Sequence, residues 1–140
     1  MRGTVYAMLV VLAQFAPNIA AADVWRGKIR CVVLQGLNTK PLVGDFQMTR
    51  NGTRLTYSRP VHMADSPSLS GVEESGAGML NGNEIKLQGG ASGRGYSYTA
   101  SYQGEIESGY VNLAGEQVWT ASKSGQFHRA CHITLTPAQK

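Results

Sequence analysis

The sequence predicts an all-β protein, an eight-stranded antiparallel up-and-down barrel. Three observations carry that reading. Apolar and polar residues alternate with period two through most of the chain after residue 22. Turn signals separate the alternating segments: Asn51-Gly52, Asn81-Gly82-Asn83 and Ser108-Gly109. The only two cysteines, Cys31 and Cys131, stand in the first and the last of these segments. A bond between them requires Cα atoms within about 7 Å, so the terminal strands become neighbours. With an even number of strands in up-and-down order those neighbours are antiparallel, and pairing them closes a barrel with no exposed edge. A two-sheet β-sandwich with an inter-sheet disulfide is the alternative architecture.

Residues 1–22 read as a signal peptide. Arg2 is a short positive start, Tyr6–Phe15 is apolar except for Gln14, and Ala20, Ala21 and Ala22 are the small residues that signal peptidase needs. The apolar run is shorter than the roughly 20 residues of a membrane span. The mature chain is then one domain, 23–140, that is exported and works in the periplasm or as a secreted protein. In such a compartment the two cysteines pair, closing a ring of about 100 residues, worth about 4.7 kcal/mol of chain entropy.

The strands follow in order. Val24–Leu34 puts Trp25, Gly27, Ile29, Cys31 and Val33 on one face and Arg26, Lys28 and Arg30 on the other. Leu42–Arg50 turns Leu42, Phe46 and Met48 inward. Asn51-Gly52 predicts a type I′ turn into Thr53–Arg59, with Leu55 and Tyr57 inward. Pro60 stops this strand, because proline cannot donate to a ladder. An irregular connection covers 61–70, and a glycine-rich strand follows over 71–80. Glu84–Gln88 carries Ile85 and Leu87 inward, and 89–95 reads as a flexible loop. Tyr96–Ile106 sets Tyr96, Tyr98, Ala100, Tyr102, Gly104 and Ile106 against Ser97, Thr99, Ser101, Gln103 and Glu105. Tyr110–Trp119 and Phe127–Thr136 complete the eight. Residues 78–89 also resemble 104–115 at a shift of 26, matching Leu80 to Ile106, Ile85 to Val111 and Leu87 to Leu113.

Thirteen basic residues less Arg2 leave twelve against nine acidic ones, a net charge of +3 on the mature chain. That balance gives no reason to expect a nucleic-acid partner. No second apolar run is long enough for a transmembrane segment in the mature chain.

With Trp25 opening the first strand, short hairpins after it and Arg129 on the inward register of the last strand, the chain resembles the calycin group, which includes the lipocalins. The resemblance is one of architecture over the whole mature chain. It implies a calycin-like barrel in which an arginine packs on the first-strand tryptophan. The lipocalin Gly-x-Trp motif is reversed here as Trp25-Arg26-Gly27. Pairing Cys31 with Cys131 also puts Trp25 opposite Pro137 and Arg129 opposite Val33, which separates Arg129 from Trp25. The pattern Trp25-x-Gly27…Cys31, Tyr102-x-Gly104-x-Ile106, Leu113-x-Gly115-x-x-x-Trp119 and Arg129-x-Cys131 is similar to small exported bacterial β-barrel proteins of unknown function. That likeness implies location and fold and no activity.

Few residues suggest chemistry. His128 and His132 lie four apart on one strand face, about 13 Å, too far to grip one metal. No Gly-x-Ser-x-Gly elbow is present. Gly93-Arg94-Gly95 has no helix behind it to hold a phosphate. Glu73 and Glu74 point to opposite faces of a strand, and Glu105 with Glu107 reads as a solvated hairpin end. The sequence therefore predicts no catalytic residue, metal or cofactor, and a binding protein rather than an enzyme.

Two features suggest binding. Trp25, Tyr57, Tyr96, Tyr98, Tyr102, Trp119 and Arg129 fall on inward registers. Tyrosine hydroxyls want partners, and a buried arginine wants an anion or a carboxylate. Together they suggest a pocket for a small amphipathic or anionic ligand, against the alternative of a filled core with hydroxyls bonded to backbone. The outward stripe Arg26, Lys28, Arg30 suggests an acidic protein or envelope polymer. The expected partner is a small-molecule ligand or an envelope protein. In the second case the protein is a periplasmic inhibitor or accessory module, contacting its partner through 61–70 and 89–95.

Overall fold

In a computed structural model of the protein, the described residues are 23–34, 40–62, 69–121, 123 and 125–138. The expected leader lies outside them. The strands are β1 (Asp23–Cys31), β2 (Leu42–Asn51), β3 (Arg54–His62), β4 (Leu69–Asn81), β5 (Glu84–Gly93), β6 (Tyr96–Glu107), β7 (Tyr110–Ala121) and β8 (Gly125–Pro137). Each pairs antiparallel with the next, and β8 pairs with β1 to close the barrel. The closing ladder sets Trp25 opposite Pro137 and Cys31 opposite Cys131. The disulfide joins this last pair across a Cα–Cα distance of 4.1 Å. The closed ladder excludes the two-sheet sandwich.

Inward positions alternate with exposed polar ones as period two requires. On β6, Tyr98, Ala100 and Tyr102 are buried while Ser97, Thr99, Ser101, Gln103 and Glu105 are exposed. Ile29, Met48, Leu55, Ile85, Leu87, Val111, Leu113, Ile133 and Leu135 fill the interior with essentially no solvent contact. Each such side chain contributes about 1.5–3 kcal/mol of burial.

The repeat noted at a shift of 26 has a structural basis. A Cβ on Gly78 would lie 1.8 Å from the Lys86 carbonyl oxygen, and one on Gly104 would lie 1.9 Å from that of Asn112. Gly89 and Gly115 stand likewise against the carbonyl oxygens of Ser75 and Ser101. All four pairs of positions differ by 26, so the same glycine contacts recur in the β4–β5 and β6–β7 hairpins.

Three expectations are corrected. The β2–β3 loop is Gly52-Thr53, with Asn51 paired to Arg54. Gly52 has φ of 63°, and no described non-glycine residue has positive φ. One positive φ at the first loop position suits a type II′ loop, not I′. Residues 89–93 are strand, not flexible loop; β5 pairs through Gly93 with Tyr96, and only Arg94-Gly95 turns. The glycines there make room for aromatic rings: a Cβ on Gly89 would lie 2.4 Å from Tyr57 Oη, and one on Gly93 would lie 2.3 Å from the Tyr96 ring.

Finally, β3 continues past Pro60 to His62, with a register shift between those two residues. It can do so because the β2–β3 ladder ends at Gln47 and Ser58. In β3 the backbone groups of even-numbered residues face β2, since Thr53, odd-numbered, accepts from Leu80 on the β4 side. Pro60 therefore has no donor to give on that side and no ladder partner to receive it.

The barrel has two unlike ends. Three tight turns gather at one, with Asp23 and Ala138 beside them, and Trp25 is buried there. The β1–β2 and β3–β4 connections leave the other. The candidate site lies toward that second end.

Candidate functional site

The sequence places four polar side chains on inward registers above the apolar core. Arg59 follows Leu55 and Tyr57 along β3, and Glu74 follows Leu80, Gly78 and Gly76 back along β4. Gln117 follows Leu113 and Gly115 along β7, and Arg129 precedes Cys131 on β8. All four are buried, Glu74 and Gln117 with no exposed area and Arg129 with 7 %.

Glu74 is the acceptor at the centre. Arg59 Nε donates to its Oε2 at 3.2 Å, and Tyr102 Oη lies 3.2 Å from each of its oxygens. Gln117 Nε2 donates to its Oε1 at 3.0 Å and to Tyr102 Oη at 2.9 Å. Arg59 Nη2 reaches Tyr98 Oη at 3.3 Å. Burying polar groups in such an interior is costly, and these partners offset the cost.

Gln117 couples this layer to the mouth. Its Oε1 accepts from Trp119 Nε1 at 3.0 Å and from Arg129 Nε at 2.7 Å. The Arg129 guanidinium carbon stands 5.0 Å from the centroid of the Trp119 ring, a cation–π contact. Trp119 stacks on Tyr98 at 4.2 Å and on Tyr96 at 5.2 Å. Tyr96 and Trp119 are only partly buried. The upper end of the barrel is thus an aromatic shelf with one guanidinium on it.

The charges do not balance. Arg59 has Glu74 as its counter-ion. Among the described residues no carboxylate pairs with Arg129. Two guanidinium groups against one carboxylate leave a formal charge of +1. Burial and then the repulsion of Arg59 push the Arg129 guanidinium down to about 10. At Arg59 burial is again the largest cause and acts downward, but Glu74 together with Tyr98 and Tyr102 makes the net shift upward. Burial, with Glu74 next, holds the hydroxyls of Tyr57, Tyr98 and Tyr102 protonated far above their ordinary range.

The structure divides the seven residues expected to share a pocket. Trp25 sits at the turn end, remote from the rest. Tyr57 and Tyr102 lie mid-barrel, packed with Phe46 at centroid distances of 4.9 to 6.0 Å. Tyr96, Tyr98, Trp119 and Arg129 come together at the mouth. Among the described residues Tyr98 and Tyr102 bond to side chains. Trp25 Nε1 and Tyr57 Oη are buried without a partner among the described residues. The arginine-on-tryptophan contact implied by the calycin resemblance is made with Trp119 of β7 instead of Trp25.

Outside the barrel, Arg26, Lys28 and Arg30 are exposed in a row. Arg26 Nε donates to Gln47 at 3.0 Å, Lys28 pairs with Asp45, and Arg30 lies between Val43 and His132. His128 and His132 are both exposed, and His128 pairs with Glu116.

Fold and site together define a class: a disulfide-closed up-and-down β-barrel with a buried ionic layer beneath an aromatic, cationic mouth. No protein-family model matches the chain, and no curated protein matches its sequence.

Proposed function

We propose that the protein is an exported, non-enzymatic binding protein that holds a small anionic or amphipathic ligand at the long-loop mouth of its barrel. The observation that carries the reading is Arg129: a cation, 7 % exposed, on a tryptophan ring, with no carboxylate to neutralise it among the described residues. A buried cation is costly unless an anion pairs with it. The aromatic shelf of Trp119, Tyr98 and Tyr96 offers the flat apolar surface that an amphipathic ligand needs. The interior below is filled by side chains, so this reading seats the ligand at the mouth and not deep in the barrel. The Cys31–Cys131 disulfide suits an oxidising compartment.

Native mass spectrometry of the protein purified from its own host tests the reading. A retained small-molecule mass that is lost in an Arg129→Gln variant is the expected result. A bare protein mass in both, with no response to added organic anions, would contradict it.

A further inference from the structure

Among the described residues the ladder stops short of the mouth between β4 and β5, where pairing ends at Ser75 and Gly90, and between β2 and β3. β2 pairs with β1 from Leu42 to Asn51, but with β3 only from Gln47 to Asn51. Beyond Ser58, β3 stays paired with β4 and leaves β2. The backbone direction on β2 follows from the register. Val32 N donates to Ala130 O and Ala138 N to Val24 O, so even-numbered β1 residues face β8 and odd-numbered ones face β2. The β2 residues opposite those odd ones are even-numbered, which leaves the amides and carbonyls of Val43 and Asp45 pointing toward β3, where the ladder has ended. Across the split, Pro60 has no N–H, and its carbonyl is approached by Arg59 Nη1 at 3.5 Å. Among the described residues the split is thus an open edge of β2, at which Pro60 of β3 has no N–H to offer. A groove of about 350 Å³ opens there, lined by Arg26, Asp45, Phe46, Gln47, Ser58 and Pro60 with Gly27.

We infer that the Val43–Asp45 edge of β2 is a docking site for an extended, acidic segment of a partner protein, bound by strand addition. An open strand edge is satisfied by another extended backbone. The sign of the partner comes from the surface beside the edge. Arg26, Lys28 and Arg30 lie on β1 immediately behind it, against Asp45 on the facing segment of β2, a formal excess of +2 over these two stretches. That excess opposes pairing of two copies of this chain edge to edge. Val43 is 57 % exposed and gives the added strand one apolar contact. This site is separate from the mouth and does not depend on Arg129.

The test uses two capped heptapeptides at millimolar concentration, one alternating glutamate with valine and one alternating lysine with valine. Amide exchange of Val43 and Asp45 is followed by NMR on the oxidised protein. The acidic peptide is expected to slow exchange at both amides at least tenfold and to bind at least tenfold more tightly than the basic one. Val43→Pro removes only the donor facing the split and spares the even-numbered amides bonded to β1. It is expected to abolish the protection while the rest of the spectrum stays dispersed. Unchanged exchange at both amides, equal binding of the two peptides, or full binding by the proline variant would overturn the inference. So would protection that appears without peptide and grows with protein concentration, which would make a second copy the occupant.

Discussion

Arg59 and Glu74 form an ion pair at 3.2 Å with neither side chain exposed to solvent. The pair spans β3 and β4 just where β3 parts from β2, and Tyr98, Tyr102 and Gln117 hydrogen-bond to it directly. Removing the carboxylate alone leaves a buried guanidinium unpaired. Glu74→Leu is therefore expected to cost about 3–5 kcal/mol in urea unfolding. Adding Arg59→Met should recover only part of that loss, because Tyr102 and Gln117 still lose their acceptor. Full recovery in the double variant would contradict the network.

The disulfide is the second element of stability. It joins residues 100 apart in sequence. Cys31→Ala with Cys131→Ala is expected to destabilise the protein by about 2–5 kcal/mol. The β1–β8 ladder should survive in the residual folded population, since its register runs through seven residue pairs. Exchange protection at Lys28 and Thr134, whose amides face each other across that ladder, measures this.

Alkaline pH should unfold the protein. The ordinary value of a tyrosine hydroxyl is near 10, and burial raises it in the folded state for Tyr57, Tyr98 and Tyr102. Their contribution is fully present below pH 10 and is lost as pH rises, because the unfolded chain releases protons that the folded chain keeps. Each tyrosine removes about 1.4 kcal/mol per pH unit above 10. Arg129 acts with the opposite sign: its folded value falls to about 10 from the ordinary guanidinium range, so folding gains as pH rises above 10. Three tyrosines outweigh one arginine. Absorbance at the phenolate band should show these three ionising only together with the loss of near-ultraviolet circular dichroism.

The glycine contacts repeated at a shift of 26 predict equal effects. Gly78→Ala and Gly104→Ala each drive a Cβ into a carbonyl oxygen of the paired strand. Each is expected to cost about 1–3 kcal/mol or more. Gly52→Ala meets no atom within 4 Å and is penalised only by its positive φ of 63°, so it should cost less. Chemical denaturation of the three variants compares them.

Most of the architecture was legible in the sequence, because period-two alternation and paired terminal cysteines are local signals of a closed barrel. Ring closure, the Trp25–Pro137 register and the outward basic stripe all follow from counting residues from Cys31 and Cys131. The polar layer was not read, although its signal was there: Arg59, Glu74 and Gln117 each continue an inward alternation. Ending β3 at Pro60 leaves Arg59 at a strand terminus, and the opposite facing of Glu73 and Glu74 already implies that one of them points inward. Pro60 is tolerated because of a gap between β2 and β3, a tertiary feature that no local rule reveals.

The most direct measurement of the account is tryptophan fluorescence under titration with benzoate and with benzamide, in the wild type and in Arg129→Gln. Trp119 is the tryptophan at the mouth and Trp25 is buried at the far end, so the mouth should report alone. The account predicts a saturable response to benzoate in the wild type, at least tenfold weaker for benzamide and at least tenfold weaker for benzoate in the variant. Equal responses to the charged and neutral ligands, or an unchanged response in Arg129→Gln, would contradict it.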